Sequence, residues 1–494
     1  MSQAAIALNR FGLGARPDEP LPDDPRGWLE SQFAHFEARP AAFAATPSRR
    51  DVAQQLADYY EATRARRARP AAAVAPAPPT PDGLPAMAAA NLAGSPDETR
   101  KFIQGEARAA YLSLVEARVA SALTTPAPFA ERLVHFWANH FAISIDKLPV
   151  IGLGGLLEVE AIRPHLTGRF ADMLLAVEQH PAMLLYLDQA QSIGPNSPTG
   201  TFLANRPNAR RRPGLNENLA REILELHTLG VHGGYSQADV TEFARALTGW
   251  TVAGISQAPA ARRIGLDGPA GDFAFAEPLH EPGTRSIVGR RYGQPGEGQA
   301  RAVLADLAAH PATATHLATK LARHFAGDDP PRALVDRLSA AYLRSQGDLP
   351  TMYRVLIASP ETWNPAPLRF KSPWDWSISA ARAVGSRQIP GRMAAGLLTQ
   401  LGQEVWKPGS PAGWDDLDAT WAGPDALVRR VEAADRIAAR AGTGLDARQL
   451  DPRALADRVL PGSISPATQA AVARAESPAQ GLALLLASPE FLRR

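Results

Sequence analysis

The run Asn216-Glu217-Asn218-Leu219-Ala220-Arg221-Glu222-Ile223-Leu224-Glu225-Leu226-His227-Thr228-Leu229-Gly230 decides the fold class. Leu219, Ile223 and Leu226 recur at three- and four-residue spacing, the period of an α-helix that buries one face. A second helix follows at once. It opens on Ser236-Gln237-Ala238-Asp239, where the Ser236 side chain can cap free amides and Asp239 suits the positive helix end. Val240, Phe243, Ala244 and Leu247 form its apolar face.

Working outward, the helical period returns through most of the chain. Upstream, Leu133, Val134, Trp137 and Phe141 share one face of a helix predicted over 129–142, while Glu131, His135 and Asn139 share another. Two faces of different chemistry predict a helix buried on one side and lining something on the other. Downstream, helices are expected over 299–309, 312–326, 331–345, 349–358, 372–384, 393–401, 424–441 and 478–487. Short strands are expected only near 270–293, where Phe273-Ala274-Phe275, Ser286-Ile287-Val288-Gly289 and Arg290-Arg291-Tyr292 flank His280-Glu281-Pro282-Gly283. That reading makes one hairpin with His280 at its tip. The fold class is therefore mainly α, a multi-helix globular array with one small β-hairpin region.

The organisation expected is N-terminal helices over 1–66, an Ala/Pro-rich linker or insertion over 67–96, a main helical core over 97–384, and a C-terminal helical part over 385–494 packed on that core. Repeated proline fixes extended backbone and removes donors, so little packing is expected of the linker. Residues 193–214 read as a long polar loop, a length more often functional than structural.

Composition narrows the function. The chain has 494 residues, with 52 Lys and Arg against 50 Asp and Glu. Such a balance lacks the concentrated basic surface on which nucleic-acid binding depends. The absence of cysteine excludes disulfides, thiolate metal sites and a cysteine nucleophile. Met1 to Gly14 lack a basic start followed by an apolar run of signal-peptide length, and no later segment approaches a membrane span, so a cytoplasmic protein is expected. There is no zincin helix, phosphate-binding loop, nucleophile elbow or strand-associated dinucleotide fingerprint.

The densest chemistry is the opening run. On an α-helical wheel, Glu222 lies about 40° from Asn218 and Glu225 about 20° to the other side, with Arg221 adjacent. One stripe then carries an amide and two carboxylates, suited to a hard cation or to general-base work. The plain alternative is an exposed Glu217, Arg221, Glu225 ladder. His227 falls opposite Asn218, which suits a hydrogen bond near a helix C-terminus. The expected cleft joins Glu222, Glu225, His140 and His280 as catalytic candidates to Asn139, Asn218, Arg221 and Asp239 as substrate-binding ones. A divalent metal on Glu222, Glu225 and His280 is a candidate cofactor.

Asn216 to Gly230, then Gly233-Gly234-Tyr235-Ser236-Gln237-Ala238-Asp239-Val240 and Leu247-Thr248-Gly249-Trp250, resemble the bacterial domain-of-unknown-function 1800 family. So do Asn9-Arg10-Phe11-Gly12, Phe136-Trp137-Ala138-Asn139-His140-Phe141, Tyr186-Leu187-Asp188, His280-Glu281-Pro282-Gly283 and Phe370-Lys371-Ser372-Pro373-Trp374. Glu281 and Arg285 stand where the family usually has Asp and Lys. The resemblance implies a largely helical chain without an established activity. It also implies export, and a co-encoded partner of family 1501 that resembles alkaline-phosphatase-type sulfatases. The function expected is an enzyme with a carboxylate, His and Asn cleft, or alternatively a helical scaffold or maturation partner for the co-encoded protein.

Overall fold

In a computed structural model the described residues are 1–68, 101–205, 214–255, 266, 268–366, 369–441 and 451–494. Most of the expected linker, from residue 69 onward, lies outside them, as do residues 206–213 of the polar loop. The chain is mainly α-helical, as its period requires. No helix of the described residues is long and apolar enough to cross a membrane.

Helix boundaries follow local chemistry. Ser2, Asp24, Ser197, Ser236, Asp348, Ser372, Asp451, Ser465 and Ser477 each accept a backbone N–H at a helix start. Proline occupies the first turn after many of these caps, where its missing N–H costs nothing. The polar loop holds a capped helix, Pro198–Ala204, contrary to the structureless reading. It is tied down by Glu281, whose carboxylate accepts from Asn196 N (2.7 Å) and Nδ2 (2.6 Å).

The β region differs from expectation. Strand β1 (Trp250–Val252) pairs antiparallel with β2 (Phe273–Phe275), and β3 (Arg285–Ile287) with β4 (Arg290–Tyr292). These are two sheets rather than one hairpin. The turn of the second is Val288-Gly289, with φ of 47° and 72°, the left-handed pair that matches strand twist in a two-residue hairpin. His280 consequently lies in the connection between sheets. It is buried, with Nδ1 2.9 Å from the Thr248 carbonyl oxygen.

Two hydrophobic clusters make the interior. The larger runs from Phe11 through the helices of the middle chain. In it Phe11 packs against Phe129, Phe325 and Trp363 at centroid distances of 5.4, 5.3 and 5.1 Å. The smaller joins Leu8 and Ala15 to Trp376, Trp421 and the last helices. Buried arginines hold the clusters together through backbone carbonyls. Arg10 donates to Thr362, Asn364 and Ala366, and Arg382 to Gly14, Ala122 and Leu123. A guanidinium presents several donors in a fixed fork, so one side chain can satisfy carbonyls from distant segments.

Candidate functional site

Where the two clusters meet, a cavity of about 270 Å³ opens between four segments: the helices Pro128–His140 and Pro311–Ala326, residues 369–375, and the loop 403–421. Arg494 closes one side. The size is near the lower end for small-molecule sites.

The Pro128–His140 helix turns Leu133, Val134 and Trp137 into the core, while His135 and Asn139 line the cavity. This is the two-faced helix read from the sequence. Asn139 is fully engaged: Nδ2 donates to Trp414 O and Oδ1 accepts from Trp414 N, both at 2.8 Å. His135 Nδ1 accepts from Trp374 Nε1 at 3.1 Å. His140 Nε2 lies 3.1 Å from the His227 carbonyl oxygen, which assigns the proton to Nε2. Nδ1 then keeps a buried lone pair with no hydrogen-bond partner among the described residues. Burial pushes both imidazoles well below their ordinary value, with Arg118 adding to the effect on His135 and Lys320 on His140.

Leu317, Leu321 and Phe325 anchor the Pro311–Ala326 helix, and Lys320, Arg323 and His324 face the cavity. His324 is held neutral from both sides. Nδ1 donates to Asp416 Oδ2 at 2.9 Å and Nε2 accepts from Arg494 at 3.3 Å, while burial brings its pKa to about 4. Burial also pushes Asp416 upward, but His324 and Arg369 more than offset it and hold its carboxyl well below the usual range.

The remaining wall charges are mostly matched. Arg118 pairs with Glu158 at 2.8 Å and stacks on Trp374 at 4.1 Å. Arg132 and Arg494 share Asp375, at 2.9 and 3.1 Å, and their charges bring that carboxyl to about 2 against the upward push of burial. Arg369 holds Asp416 at 2.7 Å and also Asp328. Two cations stand apart. Half-buried Arg323 donates only to the Asp328 carbonyl (3.1 Å), and half-buried Lys320 has neither a hydrogen bond nor an ion pair among the described residues. The lining carboxylate without an ion pair, Asp415, is exposed to solvent.

The loop 403–421 supplies Trp406, Trp414 and Trp421. Trp406 has a φ of 51°, a left-handed conformation that costs a bulky residue on the order of 1–3 kcal/mol. It is held by the bond from Ile145 N to Trp406 O (3.0 Å) and by close approach of its ring to Gly155, where a Cβ would come within 2.6 Å.

The expected carboxylate stripe lies elsewhere. Asn218, Arg221, Glu222, Glu225, Asp239 and His280 do not line this cavity. The α-helix ends at Glu222 and continues as a π-helix, Ile223–His227, so the wheel fails beyond that point. In a π-turn, residues five apart stack. His227 therefore sits on the Glu222 side of the helix, not opposite it, and its charge is the largest of those acting on Glu222, which burial pushes up. His227 is buried with Nδ1 2.7 Å from Glu178 Oε1. Glu225 meets the Tyr235 hydroxyl at 3.4 Å, Arg221 pairs with Glu217 at 3.2 Å, and Asn218 is exposed. Asp239 makes a reciprocal cap with Ser236 and accepts from Val288 N at 2.7 Å. Among the described residues, no group of three or more His, Asp or Glu side chains is placed to hold a metal ion. Glu222, Glu225 and His280 are thus not gathered as a ligand set.

Sequence reasoning missed Lys320, Arg323, Asp375, Asp416 and Arg494. No short motif joins them, because they lie on segments brought together only by the fold. A signal was present in part: Lys320-Leu321-Ala322-Arg323-His324-Phe325 puts Lys320, Arg323 and His324 on one helical face.

The sequence model of a family described as "Protein of unknown function (DUF1800)" matches residues 6–493. No curated protein and no solved structure matches the chain.

Proposed function

Because the chain belongs to the DUF1800 family, whose function is unknown, the reading rests on the cavity, and we propose that the protein binds a small organic anion there and acts on it as an enzyme. Lys320 carries this reading: a half-buried ammonium in the cavity wall without a partner among the described residues. A cation withdrawn from water without an opposite charge is costly, and an anionic ligand offsets that cost. Arg323, one helical turn away, adds a second cation that no carboxylate neutralises among the described residues, and its planar donors suit a carboxylate or phosphate. Trp374, Trp406 and Phe136 offer apolar surface to the carbon frame of such a ligand. His324 is committed on both ring nitrogens and His135 on Nδ1, and both are neutral, so they shape the wall rather than supply charge.

The test is thermal unfolding of the full chain against small carboxylates, sulfonates and phosphate esters, each beside its neutral amide or alcohol. Acids are expected to raise the midpoint in the native chain and to lose that effect in Lys320→Gln. Equal stabilisation by the neutral compounds, or an undiminished effect in the variant, would refute the reading.

A further inference from the structure

We propose that Lys320 is a nucleophilic amine that forms an imine with a small 2-oxo acid, whose carboxylate is held by Arg323. This rests on the cavity being an anion site and names the class of anion. The geometry distinguishes Lys320 from the other cations of the wall. Arg118, Arg132, Arg369 and Arg494 are locked by carboxylates at 2.7–3.1 Å. Among the described residues Lys320 is committed to nothing, and an amine held by no salt bridge is free to reach an electrophile. A guanidinium one helical turn away places a carboxylate close to that amine, and in a 2-oxo acid the carbonyl carbon is the atom next to the carboxylate.

Reaction also requires the amine in its neutral form. Burial, helped by Arg323 and opposed by Asp416, brings Lys320 to about 8, so roughly a tenth is neutral at pH 7 and about half at pH 8. Among the charges acting on His140, that of Lys320 is the largest, and His140 carries the buried Nδ1 lone pair that no described group occupies. The Lys320 charge thus helps burial keep His140 neutral.

The atoms balance without an oxidant or reductant. The neutral lysine nitrogen adds to the carbonyl carbon, and the carbonyl π electrons move to oxygen. One proton passes from that nitrogen to the oxygen through water, giving the neutral carbinolamine. A second proton, taken from solvent, lets the C–O bond break and the oxygen leave as water while the nitrogen lone pair forms the C=N bond. One neutral amine, one carbonyl and one proton give one protonated imine and one water. The product draws electrons from the chain carbon next to the C=N carbon, as aldol cleavage or proton abstraction at that carbon requires.

The experiment is reductive trapping on the full chain. Glyoxylate, pyruvate and 2-oxoglutarate are each incubated with the protein at pH 8, cyanoborohydride is added, and intact mass and peptide mass spectra are recorded. The expected result is a single adduct equal to the acid less one oxygen atom, mapped to Lys320 and absent from Lys320→Arg and Lys320→Gln. Mapping in the native chain does not depend on either variant folding. No adduct with any of the three acids, or adducts spread over surface lysines and unchanged in the variants, would overturn the proposal. Lactate and succinate, which lack the reactive carbonyl, separate the two levels. If they raise the unfolding midpoint while no oxo acid is trapped, the anion site stands and the imine falls. If they and the oxo acids are all without effect, both fall.

Discussion

Asn139 and Trp414 exchange two hydrogen bonds, the side-chain amide of one closing on both backbone groups of the other at 2.8 Å. The sequence marked Asn139 as a substrate-binding residue, but its donor and its acceptor serve the loop 403–421. That loop carries three of the tryptophans around the cavity, so Asn139 shapes the site without needing to touch its ligand. Gly413 shows how close the approach is: at a φ of 86°, a Cβ there would lie 2.4 Å from Asn139 O.

Asn139→Ala is expected to lower stability by about 1–3 kcal/mol, the range for two lost hydrogen bonds with a backbone donor left unpaired. It should also weaken anion binding about fivefold or more as the loop loosens. Asn139→Asp should do no better, since it keeps the acceptor for Trp414 N but sets a carboxylate oxygen against Trp414 O. Denaturant unfolding and titration calorimetry on the two variants check this. Unchanged binding in both would mean that the loop position does not depend on Asn139.

Stability should fall steeply in mild acid. Burial holds His316 and His324 at about 4, below the ordinary imidazole value of 6.5, so between those values the unfolded chain binds more protons than the folded one. The sign follows: their contribution is complete above about 6.5, is lost as pH falls toward about 4, and changes no further below that. Each of these imidazoles contributes a slope of up to about 1.4 kcal/mol per pH unit in that window. Asp375, held at about 2, extends the loss from the ordinary carboxylate range down toward pH 2. Denaturant midpoints measured from pH 8 to pH 3 should show this fall, with a shallower slope for His324→Asn. A flat profile between pH 6.5 and pH 4 would contradict the buried, neutral imidazoles.

Glu178 and His227 are a buried pair whose second atoms, Oε2 and Nε2, have no hydrogen-bond partner among the described residues. Truncating one partner leaves the other uncompensated, so Glu178→Ala is expected to destabilise by about 3 kcal/mol or more. The double variant Glu178→Leu with His227→Leu should recover part of that loss. Equal damage from the single and double variants would mean that packing, not the pair, sets the stability.

The helical class was legible because period and caps are local. Ser236 and Asp239 marked a helix start in sequence and form the reciprocal cap in the structure. The π-turn at Ile223–His227 was not legible, since five-residue hydrogen bonding leaves no distinctive pattern in residue types, and this one turn moved His227 around the helix. The pairing of β1 with β2 was hidden for another reason: Trp250 and Phe275 meet across a long connection, whereas adjacent strands in sequence suggested a single hairpin. Of the cavity lining, His135 and Asn139 were legible because a mixed helical face is visible locally. Lys320, Asp416 and Arg494 were not, because convergence of distant segments is a property of the packed core.

Either the cavity or the Asn218, Glu222, Glu225 stripe meets the ligand. Calorimetric affinity for the most stabilising acid, measured on the native chain, Arg323→Gln and Glu222→Gln, decides it most directly. The cavity reading predicts at least tenfold weaker binding in Arg323→Gln, about 1.4 kcal/mol, with Glu222→Gln unchanged. Weakened binding in Glu222→Gln with Arg323→Gln at native affinity would contradict it.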